Sequence, residues 1–464
     1  MTRHRPRQSA RRWLGAAVLA ALTGWLPAHA TNLVIATVDN GHMLELRRLS
    51  ARFEAANPDV RIRWLTLKEH ELRQFVSTDI ATKAGQVDVM TIGMYEVPIW
   101  ASRGWLKPIR PVGVYGITDL LDNVRAGLSY DGKLYAAPIY GESSMLMYRK
   151  DLVRKAGLTM PERPTWATIA AFAARLNDPR AGVHGICLRA SPGWGENMTL
   201  VTTMANAYGG QWFDMRWTPQ LDTPAWRQAV SLYVDLLRRY GPKDAASRGY
   251  NENLALFQAG KCAMWVDATV AAAFLTDTAQ SRWAHEVGFA QAPSAVTRKG
   301  SHWLWAWALA ISSAVDPVRE AAALRFVSWA TSRDYVKLVA AERGWRLVPS
   351  GTRISTYANP AFQRAAPWYP MELDAIRSAN PDDATLHRSP YRGIQFPLIP
   401  GFRAIGDAVG GYIADAVAGR ISVDEALAKS QFATRRLMDL PGPMASDMEF
   451  DCHRAHPAPG CRED

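Results

Sequence analysis

The sequence lacks the short motifs by which several enzyme classes are recognised. It contains no Gly-x-Ser-x-Gly elbow, no His-Glu-x-x-His pair and no phosphate-binding P-loop. None of its four cysteines, Cys187, Cys262, Cys452 and Cys461, forms a Cys-x-x-Cys or a Cys/His zinc pattern. These absences argue against the common hydrolase, metalloprotease and nucleotide-dependent chemistries. We therefore expect no catalytic residues, no metal and no cofactor.

Long apolar runs are also scarce. The run from Trp13 to Leu26 is too short for a comfortable membrane span. It follows five arginines (Arg3, Arg5, Arg7, Arg11 and Arg12) and precedes Ala28-His29-Ala30, which fits a cleavage site. This order predicts a cleaved signal peptide over residues 1–30 and an exported mature chain. Arg11-Arg12 leaves both the general and the twin-arginine export routes open.

Clustered charge is missing as well. The formal net charge is +11, but five of the arginines lie in the signal segment. Later basic pairs such as Arg238-Arg239 fall on predicted helices and are typical of solvated faces, so we expect no nucleic-acid partner. In an oxidising compartment the cysteines can form two disulfides, most simply Cys187–Cys262 and Cys452–Cys461, although the sequence leaves this pairing open.

What the mature chain does contain is an alternation of strands and helices. Extended runs at Asn32–Thr37, Val60–Thr66 and Val87–Ile92 are separated by amphipathic patterns at Met43–Ala56 and Glu69–Ala84. Such an order without hairpin signals predicts an α/β fold on a largely parallel sheet. Further helices alternate with extended runs up to about residue 440. The segment from residue 441 is rich in Pro, Asp and Cys and forms a tail.

Three tryptophans, Trp303, Trp305 and Trp307, stand at alternate positions. If the segment is extended, their side chains point to one face. A row of indoles with N–H donors suits a ligand with apolar C–H faces and hydroxyls, such as a sugar or polyol. Large aromatic residues also fill cores, so a strand buried on both faces is the alternative.

Several segments, in the order in which they occur, carry a family resemblance. They include Phe53-Glu54-Ala55-Ala56-Asn57-Pro58, Met147-Tyr148-Arg149-Lys150-Asp151-Leu152 and Gly419-Arg420-Ile421-Ser422-Val423-Asp424. The chain resembles the bacterial extracellular solute-binding proteins of carbohydrate ABC importers, the family that includes maltose-binding protein. A narrower resemblance, through Tyr140-Gly141-Glu142-Ser143-Ser144 and Gly193-Trp194-Gly195-Glu196-Asn197, is to members that bind sorbitol and mannitol. Asp39-Asn40-Gly41-His42-Met43 departs from the expected Asn-Asn-Gly-Asp-Met, which leaves the exact polyol open.

The resemblance implies a two-lobed periplasmic-binding-protein fold of type II, in which each lobe is a mostly parallel sheet flanked by helices. One lobe is expected over residues 31–140 plus 308–346, and the other over 141–307 plus 347–440, with crossing hinge segments. It also implies a monomer in the periplasm that delivers its solute to permease subunits in the inner membrane, with the ATPase as an indirect partner.

The expected ligand-binding residues lie on loops and strand ends that face the cleft. Glu142 is at the first crossover, and Asp267 and Glu96 end strands, where helix capping is the alternative role. Arg346 is at the return crossover, where it can donate to a diol or pair with Glu142 or Asp267. The remaining candidates are Asn40 and His42 in the first strand–helix loop, Trp194, Glu196 and Asn197 around a glycine turn, and Trp303 and Trp305 as the cleft surface, with Trp307 structural.

Two other functions are compatible with these residues. One is a binding protein for another mono- or oligosaccharide. The other is an exported carbohydrate-active enzyme, because Glu142, Glu196 and Asp267 provide enough carboxyl groups for an acid and base pair. The two-lobed order argues against the usual glycosidase barrels, so the sequence predicts a binding protein.

Overall fold

The computed structural model describes Met1, Thr2 and residues 30–439. The predicted signal peptide, apart from its first two residues and Ala30, lies outside the described residues. The predicted tail from residue 441, with Cys452 and Cys461, also lies outside them. Both assignments therefore stay predictions.

The strands are short and mostly buried. In β3 and β7 every residue is buried, which is typical of strands covered on both faces. The strands are β1 (Thr31–Val38), β2 (Val60–Leu67), β3 (Val89–Ile92), β4 (Leu106–Lys107), β5 (Ser129–Tyr130), β6 (Lys133–Leu134), β7 (Ala136–Glu142), β8 (Ser144–Arg149), β9 (Met264–Ala268), β10 (Val287–Gln291) and β11 (Trp305–Ser312).

Several helices begin at local capping signals in the sequence. Asn40, Thr165, Ser332 and Ser422 each accept a backbone N–H of the following first turn. The helices are α1 (Gly41–Ala56), α2 (Glu69–Thr82), α3 (Glu96–Ser102), α4 (Asp122–Gly127), α5 (Lys150–Lys155), α6 (Trp166–Leu176), α7 (Asn197–Ala207), α8 (Pro224–Tyr240), α9 (Tyr250–Gln258), α10 (Ala271–Leu275), α11 (Pro317–Ala330), α12 (Arg333–Arg343), α13 (Ile354–Tyr357), α14 (Pro360–Ala365), α15 (Tyr369–Ser378), α16 (Phe402–Val417) and α17 (Val423–Met438). Short 3-10 turns cover Ile117–Asp119, Ala245–Ser247, Ala284–Glu286 and Trp345–Leu347.

The first sheet has the strand order β2-β1-β3-β11-β4, with β7 also paired to β11. β1 is parallel to β2 and β3, whereas β11 is antiparallel to β3, β4 and β7. Every strand except β11 therefore runs in the same direction. The predicted α/β fold class is confirmed, and this sheet is mostly parallel as expected.

The second sheet corrects the expectation of a mostly parallel sheet in each lobe. Its order is β10-β8-β9, and β8 is antiparallel to both neighbours. The reason is the connection between the sheets. Only Ser143 separates β7 from β8, so the chain passes straight from one sheet into the other without a helical crossover. β8 therefore runs away from the junction, and β9 and β10, which return to it, must oppose β8.

Three segments cross at the junction of the sheets. Ser143 joins β7 to β8, and the chain enters β11 at Trp305. The third segment contains Ser350, whose carbonyl oxygen accepts from Gly141 N at 2.9 Å. A Cβ on Gly141 would lie 2.2 Å from Gly351 O, and Gly351 itself has a φ of +77°. Glycine is required at both positions because the two backbones touch.

The disulfide predicted between Cys187 and Cys262 is present. It joins the segment that begins at His184 to the start of β9, and the two run parallel, with bridges from His184 to Cys262 and from Cys187 to Trp265. Among the helices that the structure describes, none has the length and hydrophobicity that crossing a bilayer requires.

Candidate ligand-binding site

The candidate site lies between the two sheets, where several strands end. β7 ends at Glu142, whose register partner is Trp305 at the start of β11. β9 ends just after Asp267, which is opposite Met145 of β8. Open α/β sheets bind ligands beyond the carboxyl ends of their strands, so Glu142 and Asp267 occupy suitable positions.

A buried ion pair forms the centre of the site. Arg189 Nη2 is 2.6 Å from Asp267 Oδ1, and Arg189 Nε is 2.9 Å from Asp267 Oδ2. Trp265 Nε1 and the N–H of Ala268 also donate to Asp267, at 3.0 Å and 2.7 Å. Burial opposes the charge of Arg189, but Asp267 holds the pKa of the guanidinium well above its usual value. Asp267 does not cap a helix, since Val270 is the N-cap residue of α10.

Sequence reasoning missed Arg189, whose pairing with Asp267 depends on a strand register seen only in the structure. The disulfide fixes Cys187 beside β9, and Cys187 pairs with Trp265 in parallel register. Two residues further along each of these two segments, the same register brings Arg189 level with Asp267. This register is offset by three residues from the disulfide, which joins Cys187 to Cys262, so the predicted bridge alone does not pair this arginine with that aspartate.

Polar atoms around this ion pair are buried without a hydrogen-bond partner among the described residues. They are Oε2 of Glu196, Nε1 of Trp303 and the hydroxyl of Tyr250. The rings of Tyr250 and Trp303 have their centroids 5.2 Å and 5.8 Å from Arg189 Cζ. An unpaired buried polar group costs about 1–3 kcal/mol. Three such atoms around one arginine indicate a space meant for a hydrogen-bonding ligand.

Two carboxyl groups in the same region have strongly raised pKa values. Burial, followed in effect by the charges of Asp267 and Glu69, raises the pKa of Glu142 from 4.5 to about 8, against the opposing influence of Arg189. Burial and the neighbouring Glu69 raise the pKa of Glu196 to about 8 in the same way. Glu196 as a whole residue is partly exposed, but its Oε2 is buried. Each carboxyl therefore carries its proton at neutral pH and can both donate and accept a hydrogen bond.

A second buried arginine, Arg73 of α2, lies against the tryptophans. Its Cζ is 4.3 Å from the ring centroid of Trp194, 4.9 Å from that of Trp305 and 4.8 Å from that of Trp307. Its Nη1 donates to Glu96 at 2.5 Å, and its Nε and Nη2 donate to Glu69 at 3.0 Å and 2.9 Å. Glu96 does not end a strand as predicted, because β3 ends at Ile92 and Glu96 is the first residue of α3. Sequence reasoning missed Arg73, although Glu69 and Arg73 stand four residues apart on one helix.

The prediction that the three tryptophans share one face is wrong in one respect. The strand begins at Trp305, so Trp303 precedes it and faces Arg189 rather than Arg73. Trp305 and Trp307 do share a face, with ring centroids 5.5 Å apart, and both contact Arg73. All three indoles are buried, as the core alternative required. Trp305 packs in addition on Trp194 and Phe396, and its expected place on the cleft surface, with Trp307 structural, stays a prediction.

The first strand–helix segment contributes a smaller polar group. Asn40 caps α1 by accepting from Met43 N at 3.2 Å, and its Nδ2 donates to Tyr140 Oη at 3.0 Å. His42 does not lie in a loop as predicted, because α1 already begins at Gly41. Its buried ring packs on Tyr140 and Phe274, and burial lowers the pKa of His42 to about 4. The imidazole is therefore neutral at physiological pH.

Two predicted residues have hydrogen-bond partners away from the ion pair, although Nε of Arg346 is buried without a partner among the described residues. Asn197 Oδ1 accepts from Gly193 N at 3.2 Å, and its Nδ2 donates to Gly410 O at 2.9 Å, so this amide fixes a turn. Arg346 pairs with Asp277 Oδ1 at 2.9 Å and donates to Thr276 O at 2.8 Å. The expected pairing of Arg346 with Glu142 or Asp267 is wrong, because Arg189 already occupies Asp267.

The segments that flank the site touch each other across it. Tyr95 Oη donates to Ile399 O at 2.9 Å, and Asn251 Nδ2 donates to Asp39 O at 3.2 Å. A cavity of about 330 Å³ lies between α1 and the helices α9 and α10, with His42 on one wall and Tyr250 and Phe274 on the other. Tyr250, which lines this cavity, also has its ring centroid 5.2 Å from Arg189 Cζ. Within residues 30–439, no group of three His, Cys, Asp or Glu side chains could hold a metal ion.

Comparison with known proteins identifies relatives along most of the chain. The family model described as bacterial extracellular solute-binding protein matches residues 41–337. A mannitol-binding protein of Pseudomonas aeruginosa is 50% identical over 417 residues, which are 89% of this chain and 94% of that protein.

Solved structures agree with the two-lobed architecture. A solute-binding protein of Agrobacterium vitis S4 with bound D-mannitol has a TM-score of 0.87 and 51% identity, covering 88% of this chain and 98% of that one. Maltose-bound MalE3 of T. maritima has a TM-score of 0.75 at 19% identity, covering 88% and 100% of the two chains, and is similar in fold alone.

Proposed function

The chain belongs to the bacterial extracellular solute-binding proteins, and from this premise we propose that it is the polyol-binding component of an ABC importer. Its ligand is an alditol of the mannitol and sorbitol class, captured in the cleft between two lobes. The relative named as a mannitol-binding protein and the structure with bound D-mannitol, both near 50% identity, support this ligand class.

The observation that carries the proposal is the set of unpaired polar atoms around Arg189 and Asp267. Glu196 Oε2, Trp303 Nε1 and the hydroxyl of Tyr250 are buried in one region, and each lacks a partner within residues 30–439. A ligand with several hydroxyls and no charge satisfies such atoms without bringing a new buried charge into the site. A polyol has this chemistry.

The protonation of two carboxyls fits the same ligand. With pKa values raised to about 8, Glu142 and Glu196 are largely neutral at pH 7. A neutral carboxyl donates one hydrogen bond and accepts others, which matches a hydroxyl that does both. Asp267, whose oxygens accept from Arg189, Trp265 and the N–H of Ala268, holds Arg189 in place beside them. We propose Glu142, Glu196, Asp267, Trp303, Tyr250 and Arg189 as the ligand-binding set, with Asn40 and His42 at its edge.

The proposed lobes are residues 31–140 plus 308–346 and residues 141–307 plus 347–440. The passage of the chain from the first sheet to the second at Ser143, and back at Trp305, supports boundaries near these positions. Closure brings Tyr95 and Asp39 of one lobe against Ile399 and Asn251 of the other. A ligand that contacts both lobes favours the closed form through its differential affinity.

We further propose that the protein acts in the periplasm after removal of residues 1–30, as a monomer that performs no catalysis. It delivers its solute to permease subunits of the inner membrane, which are coupled to an ATPase. Membership of an extracellular solute-binding family supports export and transport.

Calorimetric titration and thermal unfolding with purified mature protein test this function. D-mannitol and D-sorbitol should bind more tightly than D-glucose, D-mannose or maltose. An alditol at 100 times its Kd should add about 2.7 kcal/mol to the free energy of unfolding. Preferential binding of a mono- or oligosaccharide would contradict the polyol assignment, and conversion of the added solute, read by mass spectrometry, would contradict a binding role.

A further inference from the structure

Arg73 covers indole faces that a sugar ring could otherwise use. Its guanidinium lies within 4.3–4.9 Å of the ring centroids of Trp194, Trp305 and Trp307, and its side chain is 6% exposed. The rings of Trp305 and Trp307 are nearly perpendicular, at 82°, and those of Trp194 and Trp305 meet at 75°. The three indoles therefore form a box, and the box is occupied by a side chain of the protein itself.

The guanidinium is held in the box without any ligand. Three of its five N–H groups donate to Glu69 and Glu96 at 2.5–3.0 Å. The carboxylates compensate the burial of the charge, and desolvated contact with aromatic faces contributes further attraction. The backbone carbonyl of Arg73 also accepts from Arg403 Nη1 at 3.2 Å, which ties α2 to α16. Arg73 is thus fixed from both sides of the cleft.

This box adjoins the polar atoms proposed to bind the ligand. A Cβ on Gly195 would lie 2.6 Å from Glu69 Oε1, and Gly195 O accepts from Arg189 Nη1 at 3.3 Å. Trp305 is the register partner of Glu142. The glycine turn and the β7–β11 pairing therefore bring the guanidinium of Arg73 to the wall of the ligand space.

We propose that Arg73 determines specificity by occupying the indole faces on which a pyranose ring would stack. The inference rests on the proposed function and deepens it, because it explains a preference for open-chain polyols over cyclic sugars. An acyclic polyol is bound by hydrogen bonds to Glu142, Glu196 and the other unpaired groups around Arg189, and it needs no flat apolar surface. A pyranose ring needs such a surface, and the guanidinium of Arg73 covers it.

The test compares D-mannitol with methyl α-D-mannopyranoside by calorimetric titration of the mature protein. Arg73→Ala empties the box, so its affinity for the pyranoside should rise at least about tenfold over wild type, the equivalent of one modest stacking contact. Arg73→Met refills much of the volume with an apolar side chain and should keep the pyranoside excluded. Arg73→Ala leaves the carboxylate of Glu96 without its arginine partner. The double variant Arg73→Ala/Glu96→Gln removes that charge and replaces the single variant in the titration if the single variant is unstable.

Arg149→Ala is the matched control, because Arg149 is also buried, pairs with Asp151 at 2.5 Å and lies 3.7 Å from the ring centroid of Trp283, at the other end of β8. It should gain no pyranoside binding. Absence of a gain in Arg73→Ala and the double variant, or an equal gain in Arg149→Ala, overturns the inference. Failure of the wild type to bind D-mannitol contradicts the proposed function instead, and the pyranoside result still decides the role of Arg73.

Discussion

Two buried arginines lie in the interface between the sheets, and their surroundings differ. Arg73 has two carboxylate partners and three indole faces, so its pocket is complete. Arg189 has one carboxylate partner, and nearby Glu196, Trp303 and Tyr250 each hold an unpaired buried atom. The comparison teaches that burial and charge alone do not identify a ligand site. The incomplete hydrogen bonding around Arg189 is the feature on which we base the proposed ligand site.

The largest expected effect is a difference between the two arginines in how much the loss of a carboxylate partner lowers the free energy of unfolding. Asp267→Ala removes the only carboxylate bonded to Arg189 among the described residues and should cost about 3–5 kcal/mol of unfolding free energy. Glu96→Ala leaves Arg73 paired with Glu69 and should cost clearly less. Urea unfolding of both variants measures the difference, and equal losses would show that the two arginines are equivalent. Asp267→Ala should also weaken alditol binding at least about tenfold.

The next effect concerns pH and belongs to the Arg189 region alone. In an open, hydrated cleft Glu142 and Glu196 should titrate near 4.5, whereas in this closed form their pKa values are about 8. Closure of the cleft therefore takes up protons when the pH lies between about 4.5 and about 8. The free energy of closure is most favourable below about pH 4.5 and becomes progressively less favourable as the pH rises to about 8. Alditol affinity should fall about tenfold or more from pH 6 to pH 9.

Glutamine variants test the origin of this pH dependence. Glu142→Gln and Glu196→Gln cannot titrate, so each should flatten the affinity profile measured by calorimetry between pH 6 and pH 9. Glu96→Gln, beside Arg73, is the matched control and should leave the profile as steep as in wild type. A steep profile in the double variant Glu142→Gln/Glu196→Gln would rule out these carboxyls as its source.

A third prediction compares two tryptophans. Trp303→Phe removes an unpaired buried N–H donor near Arg189 and keeps an aromatic ring. The free energy of alditol binding should therefore become about 1–3 kcal/mol less favourable. Trp307→Phe keeps an aromatic face against Arg73 and should change that affinity little. Titration calorimetry of both variants, with unfolding curves as a check on stability, measures the contrast. Equal affinity losses would show that the two indoles share one role.

Sequence reasoning predicted features that depend on local pattern and chain order. The α/β fold class, the helix ending at Ala56, the Cys187–Cys262 bridge and the position of Asp267 at a strand end are all seen. Periodicity and chain order specify these features, because they follow from which residues can be buried on a helix or strand. The ligand-binding assignment itself stays a prediction until it is measured.

The failures involve contacts between segments far apart in the chain. Arg346 was expected to pair with Glu142 or Asp267 and instead pairs with Asp277, whereas Arg189 pairs with Asp267 across 78 residues. Asn197 bonds to Gly410, and the strand containing Trp305 begins two residues after Trp303. One sequence does not specify which of several arginines reaches a given carboxylate, because that choice depends on packing across the whole interface.

The smallest effect concerns Asn40, which contacts neither arginine. Asn40→Ala loses the cap on Met43 N and should cost about 1 kcal/mol of unfolding free energy. Asn40→Asp retains a capping oxygen. Burial raises the pKa of Tyr140 well above its usual value, so its hydroxyl stays protonated and can donate to the new carboxylate. Asn40→Asp should therefore match the wild type in unfolding free energy. If alditol affinity falls in Asn40→Asp while stability is unchanged, the amide N–H of Asn40 must bond to the ligand itself, and the site then extends from Arg189 to the start of α1.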